Sequence, residues 1–193
     1  MSLPPPAVRS RWPESRRDEP IRRRCRRLFT VAPAIVLAAT SFATAQQPLP
    51  AGTVADRIVI EKRARRLSLY HAGRVLKTYR VALGPNPTGH KQQEGDGRTP
   101  EGMYTIDFRK RDSAFHRALH ISYPNAADRR RARQRGVSPG GDIMIHGLPN
   151  GSRGVGANHA RRDWTLGCIA VTSEEIEEIW RVVLNGTPVE IRP

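Results

Sequence analysis

The sequence predicts a mainly β protein, because apolar runs of strand length alternate with clusters of turn residues along most of the chain. A length of 193 residues leaves room for one domain and a short additional segment. His71–Arg74 supplies turn residues between two such runs, which predicts a hairpin. The predicted strands are Arg57–Glu61, Arg65–His71, Arg74–Gly84, Met103–Phe108, Arg117–Tyr123, Gly141–Gly147 and a last one within Asn185–Ile191.

Two short helices complete the predicted fold. The first, Asn125–Gly136, is polar on every side and ends at a glycine. The second, Ser173–Leu184, begins where Thr172 and Glu175 match a capping box, in which two side chains satisfy free backbone N–H groups. Its apolar stripe, which we expect to face the core, consists of Ile176, Ile179, Trp180 and Val183.

The first 45 residues have the features of a secretory signal. Arg22–Phe29 is basic, and Leu28–Phe42 is apolar but shorter than the ~20 residues that span a bilayer. Ala43–Ala45 offers the small residues of a signal peptidase site. We therefore expect a leader and signal peptide over 1–45, a short linker over 46–56 and one domain over 57–193. After cleavage we expect no stable membrane insertion; an uncleaved anchor is the alternative.

Cleavage after Ala45 would remove Cys25 and leave Cys168 as the one cysteine of the mature chain. Export exposes a thiol to an oxidising compartment, where cysteines are usually paired. An unpaired cysteine there is either a buried apolar residue or a reactive group. Gly167 favours a reactive group, because a glycine lets a substrate approach the backbone closely and lets a neighbouring N–H face a developing oxyanion.

A reactive thiol needs a base, since only the thiolate attacks carbonyl groups well. His146 is the favoured candidate, because it ends an apolar strand and precedes Gly147, so a rigid element would hold it at the edge of a loop. His159 is the second candidate, and an ordinary strand-end histidine is the alternative interpretation of His146. The other histidines of the mature chain are His71, His90, His116 and His120.

The segment Gly84–Gly102 is rich in Gly, Pro, Asn and Asp and is too long for an ordinary turn. A segment of this composition buries little apolar surface, which predicts low local stability. We therefore expect it to form a mobile flap over the active site.

The charge of the chain raises two alternatives to a thiol enzyme. The net charge is +15, and residues 46–193 carry 24 Lys and Arg against 15 Asp and Glu. A nucleic-acid-binding protein would use Arg129–Arg135, but the export signal and the lack of interleaved aromatic residues argue against it. A zinc hydrolase would need ligand pairs at compact spacing, which are not found among His120, His146, His159 and Cys168. We therefore expect neither a nucleic acid partner nor a bound metal.

Two segments, IMIHG (Ile143–Gly147) and TLGCIAVT (Thr165–Thr172), resemble the L,D-transpeptidase catalytic domain, the YkuD-like family. GDGRTPEGMYTID, HISYPN and NGTPVEIRP match it as well, so the resemblance covers about Asp56 to Pro193. In this family a cysteine nucleophile works with an upstream histidine. The resemblance therefore implies that Cys168 is the nucleophile and that His146 is the proton donor and acceptor.

Supporting roles for two glycines also follow from the resemblance. The Gly147 carbonyl would orient the base, and the backbone amides of Gly167 and Cys168 would bind the oxyanion. Two positions depart from the family's pattern, since Leu166 stands where a second histidine is usual and Ala170 where Arg or Asn is usual. This variant resembles the YafK-type branch, whose members include enzymes that hydrolyse crosslinks or release attached protein.

A mixed β-sandwich with one or two short helices is the fold that the resemblance implies. The implied activity is L,D-transpeptidation of peptidoglycan stem peptides through a cysteine acyl-enzyme, in the periplasm or cell wall, without a metal or organic cofactor. The alternatives are a hydrolase of the same fold, which would remove crosslinks or wall-attached protein, and an inactive binding module. Stem peptides carry carboxylates, so a basic surface would attract them.

Gln46 is the predicted mature N-terminus, because the small-residue site ends at Ala45. The intact mass of the exported protein measures the cleavage point, and we expect the mass of residues 46–193. A mass that retains Arg22–Phe42 would instead identify an anchored protein.

Overall fold

The computed structural model describes residues 47–152 and 155–193, which form eight strands, two α-helices and one 3-10 helix. The strands are β1 (Arg57–Glu61), β2 (Arg66–His71), β3 (Arg74–Arg80), β4 (Gly102–Ser113), β5 (His116–Ile121), β6 (Met144–His146), β7 (Ile169–Ala170) and β8 (Pro188–Arg192). The helices are α1 (Ala126–Gln134), the 3-10 helix (Gly156–Arg161) and α2 (Ser173–Val182). The mainly β fold class is confirmed. The predicted signal peptide and Cys25 lie outside the described residues.

The strands form one mixed sheet in the order β3-β2-β1-β8-β4-β5-β6-β7. The β1–β8 and β6–β7 pairs are parallel, and the other pairs are antiparallel. The long strand β4 pairs with β8 through its first residues and with β5 through the rest, so it connects the two halves of a sandwich. A single bridge between Ala82 and Ala170 brings the outer edges of the two halves together. Within the described ranges, no helix is long and apolar enough to cross a membrane.

Alternate side chains of the strands form one hydrophobic core, against which α2 packs. Ile145 of β6 and Ile169 of β7 are completely buried in this core. The capping box predicted for α2 is confirmed, since the Glu175 amide donates to Thr172 Oγ1 at 3.1 Å and the Thr172 amide to Glu175 Oε2 at 2.8 Å. The predicted stripe of α2 faces the core through three buried residues, Ile176, Ile179 and Val183.

Several predicted bounds differ from the structure. β4 continues to Ser113, well beyond the predicted end at Phe108, because two bulges let it stay paired with β5. α2 ends at Val182, two residues earlier than predicted. β7 was not predicted, since a strand of two residues shows no periodicity in the sequence.

The segment Gly84–Gly102 is tied to the body of the protein by a buried lysine. Lys62, whose side chain is 1% exposed, donates from Nζ to Gly89 O at 2.5 Å and to Thr99 O at 2.9 Å. The same ammonium group pairs with the Glu101 carboxylate at 2.8 Å. These bonds hold a segment that its composition alone would leave loosely packed. We therefore replace the expectation of a mobile flap with that of a fixed wall.

Replacing Lys62 with Met should loosen this wall, because three acceptors lose their donor and the Glu101 carboxylate loses its counter-ion. We expect the free energy of unfolding in urea to fall by about 3 kcal/mol. Amide hydrogen exchange over 84–101 should accelerate more than exchange over β1. The matched control is Arg63→Met at an exposed neighbouring position. Equal exchange over 84–101 in the Lys62 variant and the control would contradict the anchoring role.

Candidate active site

The parallel strands β6 and β7 bring the predicted catalytic pair to one face of the sheet. His146 pairs with Ala170, and Ile145 pairs with Ile169. Because side chains alternate along a strand, the two isoleucines point into the core while His146 and Ala170 point to the opposite face. Cys168 lies two residues before Ala170 and therefore shares the face of His146. Both side chains line the same cavity.

A backbone hydrogen bond fixes the ring of His146. Its Nδ1 lies 2.7 Å from Gly147 O and donates to this carbonyl, so in the neutral ring Nε2 carries the free lone pair. Gly147 has no room for a side chain, since a Cβ there would lie 2.9 Å from Ile176 Cγ2 and 3.0 Å from Phe115 O. The glycine therefore allows close packing at the position whose carbonyl holds the base.

Two aromatic rings enclose His146. The Phe115 ring centroid is 4.5 Å from that of the imidazole, and the Trp164 ring approaches edge-on at 5.8 Å. Burial lowers the pKa of His146 below its ordinary value, although the bond to Gly147 O opposes this. At neutral pH the ring is therefore an uncharged base. Neither Phe115 nor Trp164 was predicted from the sequence to belong to the site, although Trp164 directly precedes the TLGC segment.

Cys168 is half-buried and its thiol is protonated at neutral pH. Burial raises the pKa of the thiol, and a hydrogen bond from the Met144 backbone opposes this in part. The thiol in turn donates to Asp142 O at 3.4 Å. The resting site is therefore a neutral thiol and a neutral imidazole, and the thiol must transfer its proton before it can attack.

The side chain of Thr165 shapes the turn that presents Cys168. Thr165 Oγ1 accepts from the Gly167 amide at 3.1 Å and donates to Cys168 O at 2.8 Å. From the other side, Thr99 Oγ1 donates to Gly167 O at 2.9 Å. The wall segment fixed by Lys62 therefore contacts the turn of the nucleophile directly.

Asp163 fastens the chain just ahead of this turn. Its carboxylate accepts from the Leu83 amide at 2.9 Å and pairs with Arg65 at 2.6 Å. The amide of Thr165 also donates to Leu83 O at 3.0 Å. The chain that leads into the turn of the nucleophile is thus held by Arg65, just before β2, and by Leu83, which follows β3.

Gly167 allows the turn but is a poor oxyanion donor. Its φ is +126°, and a Cβ there would lie 2.6 Å from Arg98 O, so only glycine fits. Its N–H is directed to Thr165 Oγ1. This bond removes the physical basis of the role that the resemblance assigned to the Gly167 amide. The Cys168 amide is the remaining candidate.

Two cavities meet at Cys168. The larger has a volume of about 770 Å³, includes His146 and has aromatic walls formed by Phe108, Phe115 and Trp164. The smaller has a volume of about 430 Å³ and lies against the Gly84–Gly102 segment. Its lining is rich in glycine, with Gly95, Gly97, Gly140 and Gly141, and also includes the charged residues Lys91 and Glu94.

Three residues border both cavities, Asp142, Leu166 and Cys168. Leu166, at the position of the family's second histidine, is 84% exposed. Its side chain therefore makes few contacts within the protein and lies at the boundary between the two cavities. A substrate group on either side could reach the thiol.

The other candidate base lies outside these cavities. His159, in the 3-10 helix, lines a separate cavity of about 550 Å³ with Leu148 and Val155. Burial lowers its pKa, and a positive charge on His146 would lower it further. The structure therefore brings His146, and not His159, into the cavity of Cys168.

His120 lies on the same face of the sheet as His146, and its Nδ1 is 2.6 Å from the Asp107 carboxylate.

Comparison with known proteins gives a family match. A family model described as the L,D-transpeptidase catalytic domain, YkuD, matches residues 55–191. Among curated proteins, the chain is similar to "Putative L,D-transpeptidase YafK" of Escherichia coli strain K12. The identity is 31% over 135 residues, which cover 67% of this chain and 47% of that protein. The chain thus spans about half the length of the curated relatives that it matches.

A solved structure supports the same match. The crystal structure of the helical cell shape determining protein Pgp2 from Campylobacter jejuni aligns with a TM-score of 0.55 and 26% identity. The aligned region covers 75% of this chain and 50% of Pgp2.

Alkylation by iodoacetamide should show that Cys168 is a high-pKa thiol. Burial raises the pKa of Cys168 above the ordinary value of 9.0, so thiolate appears only at alkaline pH. Since thiolate falls tenfold per pH unit, the alkylation rate at pH 7 should be at least about a hundredfold below its alkaline plateau. Intact-protein mass follows the reaction. Fast alkylation at pH 6–7 would instead reveal a thiolate–imidazolium pair and contradict the neutral resting state.

Proposed function

Because the chain belongs to the L,D-transpeptidase catalytic domain family, YkuD, we propose that it transfers acyl groups between peptidoglycan stem peptides through a Cys168 acyl-enzyme. The observation that carries this proposal is the cavity that Cys168 and His146 share, with His146 Nδ1 held 2.7 Å from Gly147 O. A thiol beside an oriented neutral base is the arrangement that thioester formation requires.

In the first half-reaction His146 acts as base and then as acid. Its Nε2 takes the Cys168 proton as the sulfur attacks the carbonyl at the L-centre of a diamino acid in the stem peptide. The tetrahedral intermediate collapses, the bond to the next D-residue breaks, and the proton on His146 passes to the departing amine. The product is a thioester on Cys168. We assign the oxyanion to the Cys168 amide, since the Gly167 amide is bonded to Thr165.

Two cavities at one nucleophile support transfer between two substrates. The larger, aromatic cavity has room for one peptide beside His146, and the smaller cavity borders the same sulfur from the other side. In the second half-reaction an amine of the second stem peptide attacks the thioester, the C–S bond breaks, and Cys168 recovers its proton. The resulting bond is a crosslink.

Hydrolysis through the same acyl-enzyme is the alternative, in which water replaces the acceptor amine. The observation that favours it is the departure from the family's pattern at Leu166. The YafK-type branch that the sequence resembles includes hydrolases. Mass analysis of the product distinguishes the two, because transfer adds the mass of an amine and hydrolysis adds the mass of water.

The periplasm or cell wall is the proposed site of action. Peptidoglycan stem peptides are found there, and the predicted signal peptide would deliver the chain to that compartment. Residues 46–193 carry 24 basic and 15 acidic side chains. The resulting positive charge would attract peptides that carry carboxylates. We propose no nucleic acid partner and no cofactor for this chemistry.

Acylation by a carbapenem, a mechanism-based inhibitor of this family, tests the assignment of the base. His146→Ala should slow adduct formation by roughly 10²–10⁴, because the buried thiol loses its proton acceptor. Leu166→Ala should have a milder effect, since its side chain is largely exposed. The adduct is measured by intact-protein mass over time at pH 7.

His159→Ala is the matched control, because it removes a buried histidine that lies outside the Cys168 cavity. We expect it to leave acylation largely intact. Loss of the adduct in His159→Ala but not in His146→Ala would assign the base to His159 in the 3-10 helix and contradict the assignment to His146.

A further inference from the structure

A β-bulge in β4 brings two consecutive side chains onto His120. The register shifts between Ile106 and Phe108, so Asp107 and Phe108 both lie opposite His120. The Asp107 carboxylate contacts His120 Nδ1 at 2.6 Å, and the Phe108 ring stacks on the imidazole at 4.3 Å with 14° between the planes. Bulges often redirect side chains beside active sites. One carboxylate and one aromatic ring therefore fix this histidine.

His120 lies between two residues that line the catalytic cavity, Phe108 and Met144. It pairs with Met144 across β5 and β6, and the Met144 backbone bonds the Cys168 thiol. A row across neighbouring strands is thus formed by Phe108, His120, Met144 and Cys168. Of these four residues, Phe108, Met144 and Cys168 line the larger cavity. With strands about 4.8 Å apart, the backbones of His120 and Cys168 are roughly 10 Å apart. A substrate group bound between them could contact both side chains.

Asp142 lies beside two members of this row, Cys168 and His120. Its backbone carbonyl accepts from the Cys168 thiol at 3.4 Å, and its carboxylate oxygen lies 3.9 Å from His120 Nε2. The carboxylate is 89% exposed and borders both cavities. A free carboxylate next to the nucleophile attracts a cation, and the cation that an acyl acceptor carries is its ammonium group.

We propose that His120 takes the proton of the acceptor amine, that Asp107 positions its ring, and that Asp142 draws the amine in as an ammonium ion. The inference rests on the proposed function and assigns this chain's acceptor site. With Nδ1–H donated to Asp107, the neutral ring offers the lone pair of Nε2 toward Asp142.

The second half-reaction then uses two histidines in separate roles. The ammonium ion bound by Asp142 gives one proton to His120 Nε2, which releases it to solvent. The freed nitrogen lone pair attacks the thioester carbonyl, the C–N bond forms and the C–S bond breaks. The remaining extra proton on nitrogen passes through His146 to the sulfur. The products are an amide, the Cys168 thiol and one proton in solution.

Partition of the acyl-enzyme between amine and water tests this assignment. The protein is mixed with a synthetic stem tetrapeptide as donor and free diaminopimelic acid as acceptor, and the products and the Cys168 adduct are followed by mass spectrometry. In His120→Gln and Asp107→Asn the ratio of aminolysis to hydrolysis should fall at least about tenfold, and adduct should accumulate. Adduct formation should change less than about threefold. The ratio comes from one sample, so the folded fraction of a variant does not affect it.

His116→Gln is the matched control, because His116 lies on the same strand and also bonds a carboxylate, Glu177 at 2.7 Å. Its ratio should match the wild type. An unchanged ratio in both His120→Gln and Asp107→Asn, or a wild type that forms only the hydrolysis product at saturating amine, would overturn the acceptor assignment. A wild type that forms no adduct with the tetrapeptide would reject the proposed function itself. Asp142→Asn should raise the amine concentration needed for half-maximal aminolysis, and an unchanged concentration would remove Asp142 from the site.

Discussion

The register of the parallel β6–β7 pair is the constraint on which the whole site depends. Burial of Ile145 and Ile169 in the core sets this register and sends His146 and Cys168 to the opposite face. A shift of one residue in either strand would place the base and the nucleophile on different faces. β7 has only two residues, so the bonds around its turn, from Thr165 and Thr99, supply the support that a longer strand would give itself.

Burial determines the charge states of Cys168 and His146. A charged thiolate–imidazolium pair would have to be stabilised in a cavity walled by Phe115 and Trp164, where charges are poorly solvated. The structure instead keeps both groups neutral and positions the imidazole so that charge develops only when the thiol attacks. A base of lowered pKa is available at neutral pH, and a thiol of raised pKa is a strong nucleophile once its proton has gone.

Local sequence patterns predicted much of this protein. Apolar runs bounded by turn residues predicted seven of the strand regions, and the Thr172 capping box predicted where α2 begins. The apolar strand that ends at His146 and the isolated Cys168 predicted a thiol site from the sequence. These features could be predicted because each depends on residues that are close in sequence.

The features that the sequence did not predict depend on contacts between distant residues. Lys62 holds the wall segment through a carbonyl 37 positions away, and no periodicity marks such a bond. The composition of Gly84–Gly102 therefore predicted a flap where the structure has a wall. Gly167 was assigned an oxyanion role that its bond to Thr165 does not support. The bulge that places Asp107 on His120 is likewise a property of strand pairing, which a single strand's sequence does not reveal.

The central claim is that Cys168 forms a thioester with peptidoglycan stem peptides, and mass analysis of muropeptides tests it most directly. Purified protein lacking residues 1–45 is incubated with peptidoglycan, which is then digested to muropeptides, and Cys168→Ser is treated in parallel. We expect the wild type to change the masses of stem-peptide species, by crosslinking or by trimming, and the serine variant to leave them unchanged. Identical muropeptide profiles for the wild type and an untreated sample, or the same changes with Cys168→Ser, would contradict the claim.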